Sequence, residues 1–311
     1  MDPNLFLEGG RETISLLGAI VKVAKIDSIA KERLAVINNA GVELPSLQLA
    51  SDPVNFAQQI VAEFKRFCVS ERRIEYHPML KLIEYLRTTE TQFRLYNFDD
   101  QELDLFDQLL DKGHENLKAL AARRSVGKVE DARECGIGTG TLIRSDLLLT
   151  CDHIIAKSGV ARAWVRFGYK LRCDGVTTAE GHRFELDLDN IVAASSRPDF
   201  AVLRIKEPVE LPVHKVVAGP VSSNESVRLI HHPEGKPVIV SEWGKVKQVG
   251  EDYIDHEVPT SDGSSGAPIL NRNWEFVAIH RGDPGVGRPI TPGTTEGLPV
   301  RTIWGSIEKY V

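Results

Sequence analysis

The feature that most restricts the fold is a change of hydrophobic period near residue 123. From Arg11 to about Leu120 the apolar residues recur every three or four positions, as in Ile14, Leu17, Val21 and Ala24, and again in Phe56, Ile60, Phe64 and Phe67. That spacing puts them on one face of a helix, so this half is expected to form a bundle of five or six helices. Ser51, Asp52 and Pro53 read as a helix start, because a short polar side chain accepts from free amides there and proline gives up no donor the first turn needs. His77 and Pro78 read the same way, and a last helix is expected from about Asp100 to Ala122.

Across residues 123–134, RRSVGKVEDARE, the apolar period stops and charge dominates, so a linker is expected there. Beyond it come short β-rich runs such as TLIRSDLLLT, FAVLRIK, SVRLIHH, APILN and WEFVAIH, separated by Gly, Pro, Asn, Asp and Ser. Such a pattern belongs to an all-β barrel or sandwich. With 311 residues, the chain is expected to hold a helical domain over 1–122 and a β domain over 135–311.

Charge narrows the function. A net charge of −6 offers no broad basic surface, so nucleic acid is not an expected partner. No apolar run is long enough for membrane insertion, and MDPNLFLEGGRETISLL lacks the pattern of a secretory signal, which points to a cytoplasmic protein. Cys68, Cys135, Cys151 and Cys173 show no CxxC pairing, which argues against a zinc site and fits reduced thiols. His231 and His232 are adjacent on a strand and so face opposite ways, which suits structural roles better than metal binding. Neither a metal nor another cofactor is expected.

Three segments carry the chemistry, in the order GTGTLIRSDLLLTCDHII, RPDFAVLRI and TSDGSSGAPILN. A serine hydroxyl is a weak nucleophile unless an imidazole takes its proton, and a carboxylate must hold that imidazole in one tautomer. Together the segments resemble the chymotrypsin-like serine peptidases. The resemblance implies a double β-barrel with Ser265 as nucleophile, His153 as general base and Asp199 as orienting acid. It also implies an oxyanion hole from the amides of Gly263 and Ser265, each donor being worth about 3 kcal/mol in such sites. Two departures from the secreted members stand out: Ile154 replaces a half-cystine after the histidine, and Ser264 replaces the aspartate that captures a new N-terminus.

The same resemblance places Pro259 at the base of the primary pocket, which disfavours basic substrate residues. Thr260 and His280 match the threonine and histidine of the glutamate-specific, V8-like endopeptidases, and Arg281 would add positive charge, whereas Asp262 at the rim would repel an acidic side chain. The plainer alternative is that His280 packs within a strand and Thr260 satisfies a turn.

No catalytic constellation stands in the first 122 residues, and His77 and His114 are expected to cap or face solvent. SDPVNFAQQIVAEFKRF followed by HPMLKLIEYL resembles the small, death-like effector-associated helical domains of bacterial defence systems. That resemblance implies a sensor or effector protein docked on the helical domain, antiviral defence, and a protein substrate such as a pore-forming effector. An adaptor with a silent protease fold and an esterase using the same triad remain as alternatives. GDPGVGRPITPGTTEGLP, rich in Gly, Pro and Thr, is expected to gain order only on activation.

Overall fold

The computed structural model describes residues 3–44, 47–156, 159–282 and 291–311. It separates into two compact units, 3–120 and 121–311.

Helices α1 (Arg11–Ile26), α2 (Ala30–Asn39), α3 (Pro53–Arg66), α4 (Pro78–Phe93) and α5 (Asp100–Ala122) build the first unit. Their apolar stripes close over one core that includes Leu16, Ile20, Phe56, Ile60, Phe64, Met79, Ile83, Phe106 and Leu109. Both expected helix starts are capped. Asp52 accepts from the amides of Val54 and Asn55 at 3.0 and 3.1 Å, and His77 Nδ1 accepts from Met79 N at 3.2 Å. His77 is buried, stacked on Phe6, and burial pushes its pKa down to about 3, so it caps as a neutral ring. Arg33 is buried as well, its guanidinium satisfied by the carbonyls of Ala24, Asp27, Leu49 and Ser51.

The second unit carries β1 (Val126–Glu130), β2 (Gly136–Arg144), β3 (Leu147–Thr150), the short helix α6 (Asp152–Ala156), β4 (Ala163–Phe167), β5 (Lys170–Leu171), β6 (Thr178–Ala179), β7 (His182–Asp187), β8 (Ala193–Ser195) and β9 (Phe200–Ile205). It continues with β10 (Ser226–His231), β11 (Ile239–Val240), β12 (Gly244–Val249), β13 (Ile254–His256), β14 (Pro268–Leu270), β15 (Phe276–Gly282), β16 (Thr295–Pro299) and α7 (Val300–Ile307). The order β3-β2-β1-β4-β7-β9 closes on itself through β3–β9 pairing, with β8 added to β9. The order β10-β12-β13-β16-β15-β14 closes through β10–β14, with β11 added to β10. These are two closed six-stranded antiparallel barrels, the chymotrypsin-like double barrel. Closure leaves no free edge within the ring, and β3 and β9 read as continuous apolar runs because Leu147 to Leu149 and Phe200 to Leu203 are all buried.

The segment expected as a linker, 123–134, is a correction. Val126–Glu130 forms β1, is buried throughout, and pairs with both β2 and β4. Its charges mimicked a solvated stretch because two of the partners lie far along the chain: Glu130, wholly buried, meets Arg166 at 2.7 Å and Arg183 at 3.1 Å as well as Lys128 on its own strand at 2.7 Å. The expectation of four reduced thiols also fails in part. Cys135 and Cys151 are free, and Cys68 and Cys173 are not. Within the Gly- and Pro-rich stretch near the C-terminus, Thr295–Pro299 is the ordered strand β16, whereas 283–290 lie outside the described residues. No helix among the described residues is long and apolar enough to cross a membrane.

Candidate active site

The three candidate residues come from three turns that the barrels hold. β3 ends at Thr150, whose hydroxyl donates to Thr139 O at 2.7 Å, and the chain turns at once into α6 with His153 in its first turn. Asp199 leads into β9 and takes a left-handed φ of 73° after Pro198. Ser265 lies in the turn before β14.

His153 and Asp199 are brought together by two bonds. His153 N donates to Asp199 Oδ1 at 2.9 Å, and His153 Nδ1 lies 2.8 Å from Asp199 Oδ2. Burial raises the Asp199 pKa, but hydrogen bonds from His153 and the nearby charges of His153 and Arg281 outweigh it, so the carboxyl is held below its ordinary value. An ionised carboxylate only accepts, which puts the proton on Nδ1 and leaves Nε2 as the basic nitrogen. Ser265 is not hydrogen-bonded to His153 among the described residues; its Oγ donates to Arg281 O at 3.5 Å.

The serine turn is gripped from both barrels. Thr139 on β2 donates from its hydroxyl to Gly263 O at 2.8 Å and from its amide to Ser265 O at 2.8 Å, and its hydroxyl accepts from His232 N. Gly263 has φ 84°, and a Cβ there would stand 2.7 Å from His232 O, so only glycine fits. Among the described residues the amides of Gly263 and Ser265 donate to no protein acceptor, as an oxyanion hole requires. Ser264 is wholly buried, its hydroxyl 2.7 Å from His231 Nδ1 and accepting from Ser261 N at 3.3 Å. Thr139 is a supporting residue that sequence reasoning missed, and His231 and Arg281, named there as structural and as a pocket charge, have bonding partners that it did not find. The GTGT run, which contains Thr139, was the one local signal.

The pocket candidates are less uniform. Pro259 is exposed and Thr260 half-buried. His280 on β15 is buried, with Nδ1 3.3 Å from His256 Nε2 and a further bond to the Glu296 backbone; burial first, and the neighbouring histidines second, push its pKa well below 6.5. The charge expected from Arg281 is committed elsewhere, to Pro198 O, Asp252 O and the Glu296 carboxylate. Asp262 is exposed, and its carbonyl accepts from Glu234 N. Cys151 Sγ lies near the atoms of His153 and Asp199, but it is buried on His280 O at 3.3 Å, and burial raises its pKa well above the ordinary range.

Over 163 residues the chain is 28% identical to a glutamyl endopeptidase of Staphylococcus aureus, covering 47% of this chain and 43% of the relative. Over 201 residues it is 27% identical to an uncharacterized protein, y4fB, of Sinorhizobium fredii, covering 58% of this chain and 30% of the relative. The chain thus spans less than half the length of these curated relatives. A crystal structure of a serine endoprotease from Yersinia pestis superposes with a TM-score of 0.49 at 19% identity, covering 62% of this chain and 64% of that one. Residues 138–279, which contain His153, Asp199 and Ser265, match the family model of the trypsin-like peptidase domain.

Proposed function

We propose that the double-barrel unit is a serine endopeptidase in which His153 takes the Ser265 proton, Asp199 holds the imidazole and the amides of Gly263 and Ser265 bind the oxyanion. The observation that carries this reading is the pairing of His153 with an ionised Asp199 beside a serine turn whose two amides are unused. Attack requires the Ser265 hydroxyl to leave Arg281 O and donate to His153 Nε2. The tetrahedral oxyanion then gains two donors that the planar carbonyl meets less well, which is where the rate is won.

Within that reading, the substrate residue before the cut is acidic. Thr260 and His280 support this, as does the similarity to a glutamyl endopeptidase. An entering carboxylate would accept from the Thr260 hydroxyl and from the imidazole of His280, in competition with the bonds His280 already makes. The helical unit is read as an effector-associated domain that docks a sensor or effector protein and directs the peptidase, in the cytoplasm, to one protein target in a defence system. Its support is the sequence pattern of α3 and α4.

Peptides that differ only in the residue before the cut test the pair of claims. Cleavage after Glu or Asp is expected, lost in Ser265→Ala and reduced about tenfold or more in Thr260→Val, the usual cost of leaving a buried charge with one donor fewer. Cleavage after Leu or Arg but not after Glu or Asp would remove the acidic preference and keep the peptidase. Hydrolysis of simple esters with no peptide cleaved would favour an esterase.

A further inference from the structure

Arg281 joins parts of the site that belong to different barrels. It sits on β15 of the second barrel, one residue beyond His280. Its Nη1 donates 2.8 Å to Pro198 O, the carbonyl of the peptide that enters Asp199 in the first barrel. Its Nη2 donates 3.1 Å to Asp252 O and pairs with the carboxylate of Glu296 on β16. The Arg281 side chain is 12% exposed and that of Glu296 2%, so the pair is shielded from solvent. Its main-chain oxygen, finally, accepts from Ser265 Oγ.

We propose that Arg281 is a positioning residue that clasps the Asp199 turn to the pocket wall, so that the Asp199–His153 pair is held in place only while this clasp is closed. The inference rests on the reading of His153 and Asp199 as a catalytic pair.

The backbone at Asp199 supplies the physical reason. A φ of 73° is disfavoured for any residue with a Cβ, and such a conformation persists where the surroundings fix it from several sides. The plane of the Pro198–Asp199 peptide is one side of that φ rotation, and Arg281 holds the oxygen of that plane. The two bonds to His153 fix the other side. A guanidinium suits the task because its rigid fork serves separate acceptors at once, whereas an ammonium is a single point of charge. Glu296 completes the arrangement by neutralising a cation that would otherwise be buried alone. The clasp also removes Arg281 from the pocket as a free charge, leaving Thr260 and His280 to receive any substrate carboxylate.

The test uses full-length protein labelled with nitrogen-15 histidine. The proton between His153 Nδ1 and Asp199 should give a downfield resonance, assigned by its loss in His153→Gln. In Arg281→Ala the resonance should broaden or vanish and acylation by a fluorophosphonate should slow about tenfold to hundredfold, the scale of a misplaced catalytic group. Added guanidinium ion, below the concentration that unfolds the protein, should restore both, and Arg281→Lys should restore them in part. Restoration by a free cation separates positioning from a general loss of folding. A folded Arg281→Ala variant with wild-type resonance and rate, or one that guanidinium does not rescue, overturns the proposal. If Arg281→Ala does not fold, Glu296→Gln takes its place: a weakened resonance is expected, and an unchanged one overturns the clasp. A resonance present in wild type and recovered by guanidinium in Arg281→Ala, with wild type never acylated, would sink the hydrolase reading and leave the clasp standing.

Discussion

Ser264 precedes the candidate nucleophile and is wholly buried, with its hydroxyl on His231 Nδ1. Burial pushes the His231 pKa down to about 4, so the ring is neutral at pH 7 and the bond is one between uncharged groups. It anchors the serine turn without the aspartate and captured N-terminus of the secreted enzymes. His231→Leu should lower stability by about 1–3 kcal/mol, because a buried hydroxyl loses its partner, whereas His231→Leu with Ser264→Ala should recover part of that loss. Thermal unfolding of the single and double variants checks this, and additive losses would contradict it. At this scale the three residues proposed as a triad could be picked out because each lies in a short local pattern: TCDH, PDFAVL and GSSGAP. The bonding of His231 and Arg281 was not legible, since their partners Ser264 and Pro198 lie 33 and 83 positions away in the chain.

Among the elements, β1 shows why some strands were readable and others not. β3, β9 and β15 are runs of apolar residues and were legible as strands. β1 carries Lys128 and Glu130 and looked solvated, because the arginines that help neutralise Glu130 come from β4 and β7. Glu130 is the centre of this arrangement. Burial raises its pKa, yet hydrogen bonds and charge from Arg166 and Lys128 hold it below the ordinary value. Glu130→Gln should therefore cost about 3–5 kcal/mol, since it takes the buried carboxylate from Lys128 and leaves Arg166 and Arg183 only the exposed Glu134. Denaturant unfolding monitored by tryptophan fluorescence reads this directly, Trp164 lying against Arg183; a loss below about 1 kcal/mol, typical of an exposed pair, would show that the network is solvated.

For the molecule as a whole, buried histidines set the response to acid. His214, His231, His232 and His256 in the barrel unit are each pushed down to about 4 by burial, and His280 lies well below 6.5. The helical unit has His77, at about 3. Each of these rings stays neutral in the folded state and takes a proton on unfolding below about pH 6.5, so the unfolded state binds more protons and stability falls as pH drops from 6.5 toward 4. The slope is about 1.4 kcal/mol per pH unit for each fully titrating ring. The barrel unit should consequently lose several kcal/mol between pH 7 and pH 5, and the helical unit much less. Denaturant melts at the two pH values, followed by near-ultraviolet signals for the barrels and helical signals for the bundle, test this; equal loss in both units would contradict it. The change of period falls close to the division of the chain at residues 120 and 121. The burial of His214 and His256 was not legible, because each stands beside a charged residue, Lys215 and Asp255, in the sequence.

The most direct measurement is reaction of the full-length protein with a fluorophosphonate, with the modified residue located by mass spectrometry. The account predicts one adduct, on Ser265, absent in Ser265→Ala and slowed by orders of magnitude in His153→Ala. No adduct on Ser265, or labelling that persists undiminished in Ser265→Ala, would contradict it.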